Sequence, residues 1–183
     1  MSPVHNLKKK AGEFFLATEL RKDNRQRKVV GFQEARKIGI VYPVTAGDDK
    51  EQDILKKYAL YLKEERKQFH FLGYVDRMKI PEHLKDTMDH SFFSRSDLNW
   101  YLRPVRGNAQ RFLDQEFDVL IDLSIRDSVP LLYICGLSGA RFKIGRMRPS
   151  GNNIFDMMIS LDGEVTMKEL FKQIDHYLNV IHS

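Results

Sequence analysis

At 183 residues, with 42% apolar and 30% charged side chains, the chain has the makeup of one soluble domain with a substantial core. It offers no run near the ~20 apolar residues of a membrane span, and its N-terminus lacks the apolar stretch of a secretory signal. A single cysteine, Cys135, argues against a disulfide framework or a cysteine metal site and points to a reducing cytoplasm.

The net charge of +5 is unevenly spread. Residues 1–37 hold ten Lys or Arg against four Asp or Glu, which leaves the other 146 residues at −1. Basicity is therefore a property of an N-terminal arm, residues 1–36. There Leu7, Ala11, Phe14, Phe15 and Thr18 recur at helical spacing, and a polar stretch follows over residues 21–28. Three partners remain open for this arm: the domain itself, a second copy in a homodimer, or an anionic surface. One basic segment without aromatic interleaving disfavours nucleic acid.

From residue 37 onward strands and helices alternate. Residues 38–42 form a buried strand closed by Pro43, 50–68 a helix, and 69–75 a second strand. A short helix over 81–89, a third strand at 91–93 and a helix over 105–116 behind Pro104 follow. The central unit spans 117–146. Its VLID strand is continuously apolar apart from Asp122 and reads as covered on both faces. Pro130 suits the first position of an all-round apolar helix, Gly139 its left-handed cap, and residues 142–144 the next strand. A strand over 154–160, an Asp162-Gly163 turn and a helix over 166–181 complete the chain. This alternation predicts one Rossmann-like three-layer α/β domain over 37–183, with a mainly parallel sheet of about five or six strands.

Two resemblances accompany this reading. The blocks KIGIVYP, FLGYVD, DHSFFSRSDLNWY, FDVLIDLS and LLYICGLSGARFKIG, with the C-terminal HYL helix, resemble an uncharacterised bacterial family over most of the chain. Residues 118–122, LLYICGLSGA and RFKIGR resemble one βαβ unit in the N-terminal domain of ADP-heptose-type glycosyltransferases. The first resemblance implies no activity or cofactor. The second implies a fold; those enzymes bind the nucleotide-sugar mainly in a second Rossmann-like domain, whereas one domain is read here.

Cofactor motifs are missing. The first strand-to-helix turn, residues 43–49, has one glycine and two adjacent acids where a dinucleotide fold needs glycines against a pyrophosphate. No P-loop, no GxSxG elbow and no paired-histidine metal motif occurs, so no cofactor or metal is assigned. Cys135, in an apolar helix, has the surroundings of an inert thiol.

Ligands of parallel sheets bind outside the carboxyl ends of the strands. The loops expected there carry Arg95, Arg103, Arg126 and Arg146, whose guanidinium forks suit phosphate or carboxylate. Pairing with Asp48, Asp76, Asp97 and Asp127 is the structural alternative. Trp100 could stack a base or sugar, or pack beside a helical turn capped by Ser96. Asp122 is either an acceptor for the following loop or a general base. The resulting expectation is a non-catalytic binding or interaction protein. The alternative is an enzyme or half-enzyme acting on a phosphorylated, nucleotide or glycosyl ligand, an anionic small molecule, at the arginine rim.

Overall fold

The computed structural model describes residues 3–21, 25–45, 49–151, 153–161, 163 and 165–181. Gly47 and Asp48 of the first turn and Asp162 of the expected Asp-Gly turn lie outside them. Six parallel strands form one sheet: β1 (Lys37–Pro43), β2 (Gln68–Val75), β3 (His90–Ser94), β4 (Val119–Asp122), β5 (Phe142–Arg146) and β6 (Met157–Ile159). The strand order is β3-β2-β1-β4-β5-β6, that of a doubly wound dinucleotide-binding fold. β1 lies at the centre, pairing Ile38 with Phe69 on one side and with Val119 on the other. Its residues are buried from Ile38 to Tyr42 because helices cover both faces.

Period-two alternation sorts the strand side chains into two cores. Ile38, Ile40, Ile121 and Ile144 pack beneath helices α2 (Asp49–Glu64) and α5 (Met167–Val180), with Leu55, Leu62, Leu170 and Ile174. Val41, Leu72, Phe93 and Leu120 face the other way, toward helices α3 (Asn108–Leu113) and α4 (Val129–Leu137). The domain is thus three-layered, as its alternation of elements predicts. The N-terminal helix α1 (Pro3–Leu20) lies outside α4, and this explains why α4 is apolar all round: it is buried from Val129 to Gly136 between sheet and arm.

The arm departs from expectation in its orientation. Gly12 and Leu16 are the buried positions of α1, whereas Leu7, Phe14 and Thr18 of the predicted apolar stripe face outward. Gly12 sits so close to α4 and its neighbouring loop that a Cβ there would lie 2.6 Å from the Tyr101 carbonyl oxygen and 2.8 Å from Val129 Cγ1. The Tyr133 hydroxyl donates to the Gly12 carbonyl at 2.9 Å. Beyond α1, Arg25 clamps Asp156 through two bonds of 2.8 and 2.7 Å, and Val30, Phe32 and Ala35 join the core.

Other boundaries shift for local reasons. Residues 81–89 form no helix; a turn from Leu84 N–H to the Pro81 carbonyl stays isolated, and Asp86 instead accepts from Phe92 N–H. The helix expected over 105–116 contracts to α3, because Leu98 pairs with Pro104 and Gly107 turns the chain at φ 71°. Gly139 is no left-handed cap: α4 stops at Ser138, whose extended ψ of 137° already breaks the spiral. The turn before Trp100 is capped by Ser94 rather than Ser96, with Asp97 accepting from Ser94 N–H at 2.8 Å. The last strand pairs only over Met157–Ile159, since Ile154 and Phe155 turn into the α4-side core.

Candidate functional site

The order of strands reverses between β1 and β4. The chain leaves β1 for α2 on one face and leaves β4 for α4 on the other, so the two exits diverge and open a crevice. A cleft of about 530 Å³ occupies this place. Val44 and Thr45 line it from the end of β1, Arg126 to Pro130 from the end of β4, and Tyr74, Asp76 and Arg95 from the neighbouring strands. Lys8 and Lys9 of α1 close its outer edge.

Its electrostatics come from several sources. The first turn of α4 opens into the cleft with no side-chain cap from Ser128, and Pro130 has no N–H, so the positive end of the helix faces the space. Arg126 is exposed and has no ion-pair or hydrogen-bond partner among the described residues. Arg95 is held by Asp76 through bonds of 2.7 and 3.0 Å, and Asp76 also accepts from the Tyr74 hydroxyl at 3.0 Å. Burial, reinforced by Asp76, pushes the Tyr74 phenol upward, so it remains a neutral donor. Glu51 and Asp127 are the further carboxylates of the lining.

The sequence matches the family of unknown function DUF6913 over residues 8–181. The chain belongs to this family. That membership agrees with the block-by-block likeness to an uncharacterised family, whereas no curated protein and no solved structure matches, and the glycosyltransferase likeness gains no relative. In this DUF6913 chain, among the described residues, no group of three His, Cys, Asp or Glu is placed to hold a metal ion.

Of the six candidates from the sequence, Arg95 and Arg126 meet in the cleft. Arg103 reaches Glu19 of α1 at 3.2 Å. Arg146 lies 3.7 Å from Asp127. Trp100 is 60% exposed and sits edge-on to Phe15, with centroids 6.2 Å apart, and to Tyr101 at 5.2 Å. Asp122 is fully buried: it accepts from Ser124 N–H at 2.9 Å and from the Arg148 guanidinium, itself 4% exposed. Its carboxylate is committed to the loop and to this ion pair, and it does not line the cleft.

Asp127 joins the cleft to a second one of about 760 Å³, bounded by Leu16 and Leu20 of α1, Leu132 of α4 and the loop at Ser150. It accepts from the Ser150 hydroxyl at 3.1 Å and lies 3.7 Å from both Arg146 and Arg148. Sequence reasoning missed Lys8, Lys9, Thr45 and Ser128. Thr45 and Ser128 follow from strand ends once the topology is known, but no local signal ties a lysine of the arm to a turn more than a hundred residues away. Cys135 is buried in α4, and burial, followed by the Asp122 carboxylate, drives its thiol well above the ordinary range.

Proposed function

We propose that the chain is a binding protein whose cleft at the β1–β4 reversal takes an anionic small molecule, with a phosphate or carboxylate group seated between Arg126 and the first turn of α4. The observation that carries this reading is the exposed Arg126, partnerless among the described residues, beside an uncapped helix N-terminus at the point where a doubly wound sheet parts. Lys8 and Lys9 add two cations at the mouth. Binding rather than chemistry is the reading because the nearby Arg95 and Asp76 are locked to one another and the thiol of Cys135 is protonated and enclosed. The same thiol suits a reducing cytoplasm, where we place the protein.

The test is thermal unfolding of the full chain with inorganic phosphate, nucleotides and sugar phosphates, for wild type and Arg126→Ala. A ligand at a hundredfold excess over its Kd adds about 2.7 kcal/mol of stability. We expect at least one phosphorylated compound to raise the wild-type midpoint and Arg126→Ala to lose the rise, its midpoint without ligand unchanged. Silence across the set, or a rise that the variant keeps, removes the cleft from consideration. A response confined to nucleotide-sugars followed by their turnover would instead favour an enzyme acting on a glycosyl ligand, the reading that the likeness of residues 117–146 supports.

A further inference from the structure

The outward face of α1 carries an apolar stripe that no other element of the described residues covers. At about 3.6 residues per turn, Leu7, Ala11, Phe14 and Thr18 share the side opposite the buried Gly12 and Leu16. Leu7 is 66% exposed and Phe14 69%. Phe15 extends the stripe sideways to Trp100, so four rings, those of Phe14, Phe15, Trp100 and Tyr101, adjoin in sequence at 5.7, 6.2 and 5.2 Å between centroids. Such a patch on an outer helix is more than the scattered apolar side chains of an ordinary surface.

Charge decides what fits it. On the same helical count Lys10 and Arg21 flank the stripe on one side and Lys8 on the other. Lys8, Lys10 and Arg21 have no ion-pair partner among the described residues. The acids of α1 are occupied elsewhere: Glu13 lies 3.8 Å from Lys9, and Glu19 3.2 Å from Arg103. A second copy brought face to face would therefore oppose cation to cation around a small apolar strip. The stripe is also convex, the outer side of a single helix, so it offers no groove for a peptide. A planar anionic surface satisfies both features, with apolar and aromatic side chains entering the headgroup boundary and lysines over the phosphates.

We propose that the outer face of α1, through Leu7, Phe14, Phe15 and Trp100 with Lys8, Lys10 and Arg21, docks the protein onto an anionic lipid bilayer. Lys8 also borders the cleft, but Leu7, Phe14, Phe15, Trp100, Lys10 and Arg21 do not line it, so the face does not depend on the cleft holding a ligand. No helix of the described residues is long and apolar enough to cross a membrane, so the attachment is peripheral. Because Trp100 is the chain's only tryptophan, its emission reports on the patch directly.

The experiment is flotation of the full chain with phosphatidylcholine vesicles, with and without phosphatidylglycerol, alongside Trp100 emission and sedimentation equilibrium without lipid. The expected result is flotation and a shift of emission to shorter wavelength with the anionic vesicles only, reversed by salt. Leu7→Ser/Phe14→Ser and Lys10→Gln/Arg21→Gln are each expected to weaken the partition roughly tenfold or more, with unchanged circular dichroism. These positions are exposed, so the fold survives the changes. No partition into anionic vesicles overturns the proposal, as does a partition that neither pair of substitutions reduces. A dimer in solution abolished by Leu7→Ser/Phe14→Ser, with no vesicle binding, overturns it in favour of a second copy.

Discussion

The ion pair between Asp122 and Arg148 is almost fully buried on both sides. Arg148 has a side chain only 2% exposed, lies over the Phe155 ring and finds its counter-charge chiefly in Asp122. Breaking one half of a buried pair strands the other charge, at a cost of about 3–5 kcal/mol. Asp122→Asn should lose that much in urea unfolding, and Asp122→Asn/Arg148→Met should recover part of it. A loss below about 1 kcal/mol would mean that Asp127, 3.7 Å from Arg148, suffices as its partner. His90 makes a second residue-scale prediction. Burial, only partly opposed by Asp89, lowers its pKa from the ordinary 6.5 to about 4, and its Nε2 is hydrogen-bonded to the Tyr42 hydroxyl at 2.6 Å. Between those two pH values the unfolded chain holds a proton that the folded chain refuses, so stability is fully present above pH 6.5 and falls as pH drops toward 4. From pH 7 to 5 the wild type should lose about 2 kcal/mol more than His90→Gln. His70 is shifted downward by burial as well, so the comparison with the variant isolates His90; parallel pH slopes would show that His90 is not the titrating group.

At the scale of elements, most of the secondary structure was legible because it rests on local pattern. The VLID strand, the Pro-led apolar helix and the last amphipathic helix each carry their own period, and each lies within a residue or two of its expected place. The failures are those in which distant contacts decide. Residues 81–89 have a helix-like start at Pro81, yet Asp86 and Thr87 are drawn into bonds with Phe92 and His90 of β3. The arm is the clearest case: its apolar residues suggest a packed stripe, but a glycine sets the interface, because only there can the α1 backbone approach Tyr101 and Val129 closely. Gly12→Ala tests this. Intrinsic helix propensity favours alanine by up to about 1 kcal/mol, whereas the Cβ would meet backbone 2.6 Å away and force the helix outward. The expected net result is destabilisation by about 1–3 kcal/mol, with faster hydrogen exchange in α1 and α4. Net stabilisation would show that the arm does not sit this close.

The whole molecule is a sheet whose second face is covered in two steps, by α4 and then by α1, and both proposed surfaces depend on that doubling. One flank of the arm places Lys8 and Lys9 at the cleft, while its outer side presents Phe14. The place of the cleft was legible as a rule of parallel sheets, and Arg126 was read from it. The company Arg126 keeps was not, since Arg103 and Arg146 are claimed by Glu19 and Asp127 through contacts that only the assembled fold supplies. Covering α4 makes the arm necessary to the domain rather than an appendage. Removing residues 1–21 would bare Val129, Leu132, Tyr133 and Gly136, which α1 touches or shelters through Gly12, Leu16 and Leu20, and would leave an apolar strip along the middle of one face. A strip of that kind seeks a partner. The truncated chain should therefore associate in a concentration-dependent way by sedimentation and brighten an apolar dye. Arg25, clamped on Asp156, stays in place and keeps the sheet's edge intact, so far-ultraviolet circular dichroism should lose only the signal of α1. A monomeric truncated chain with a silent dye would mean that the sheet and α4 hold their packing without the second cover.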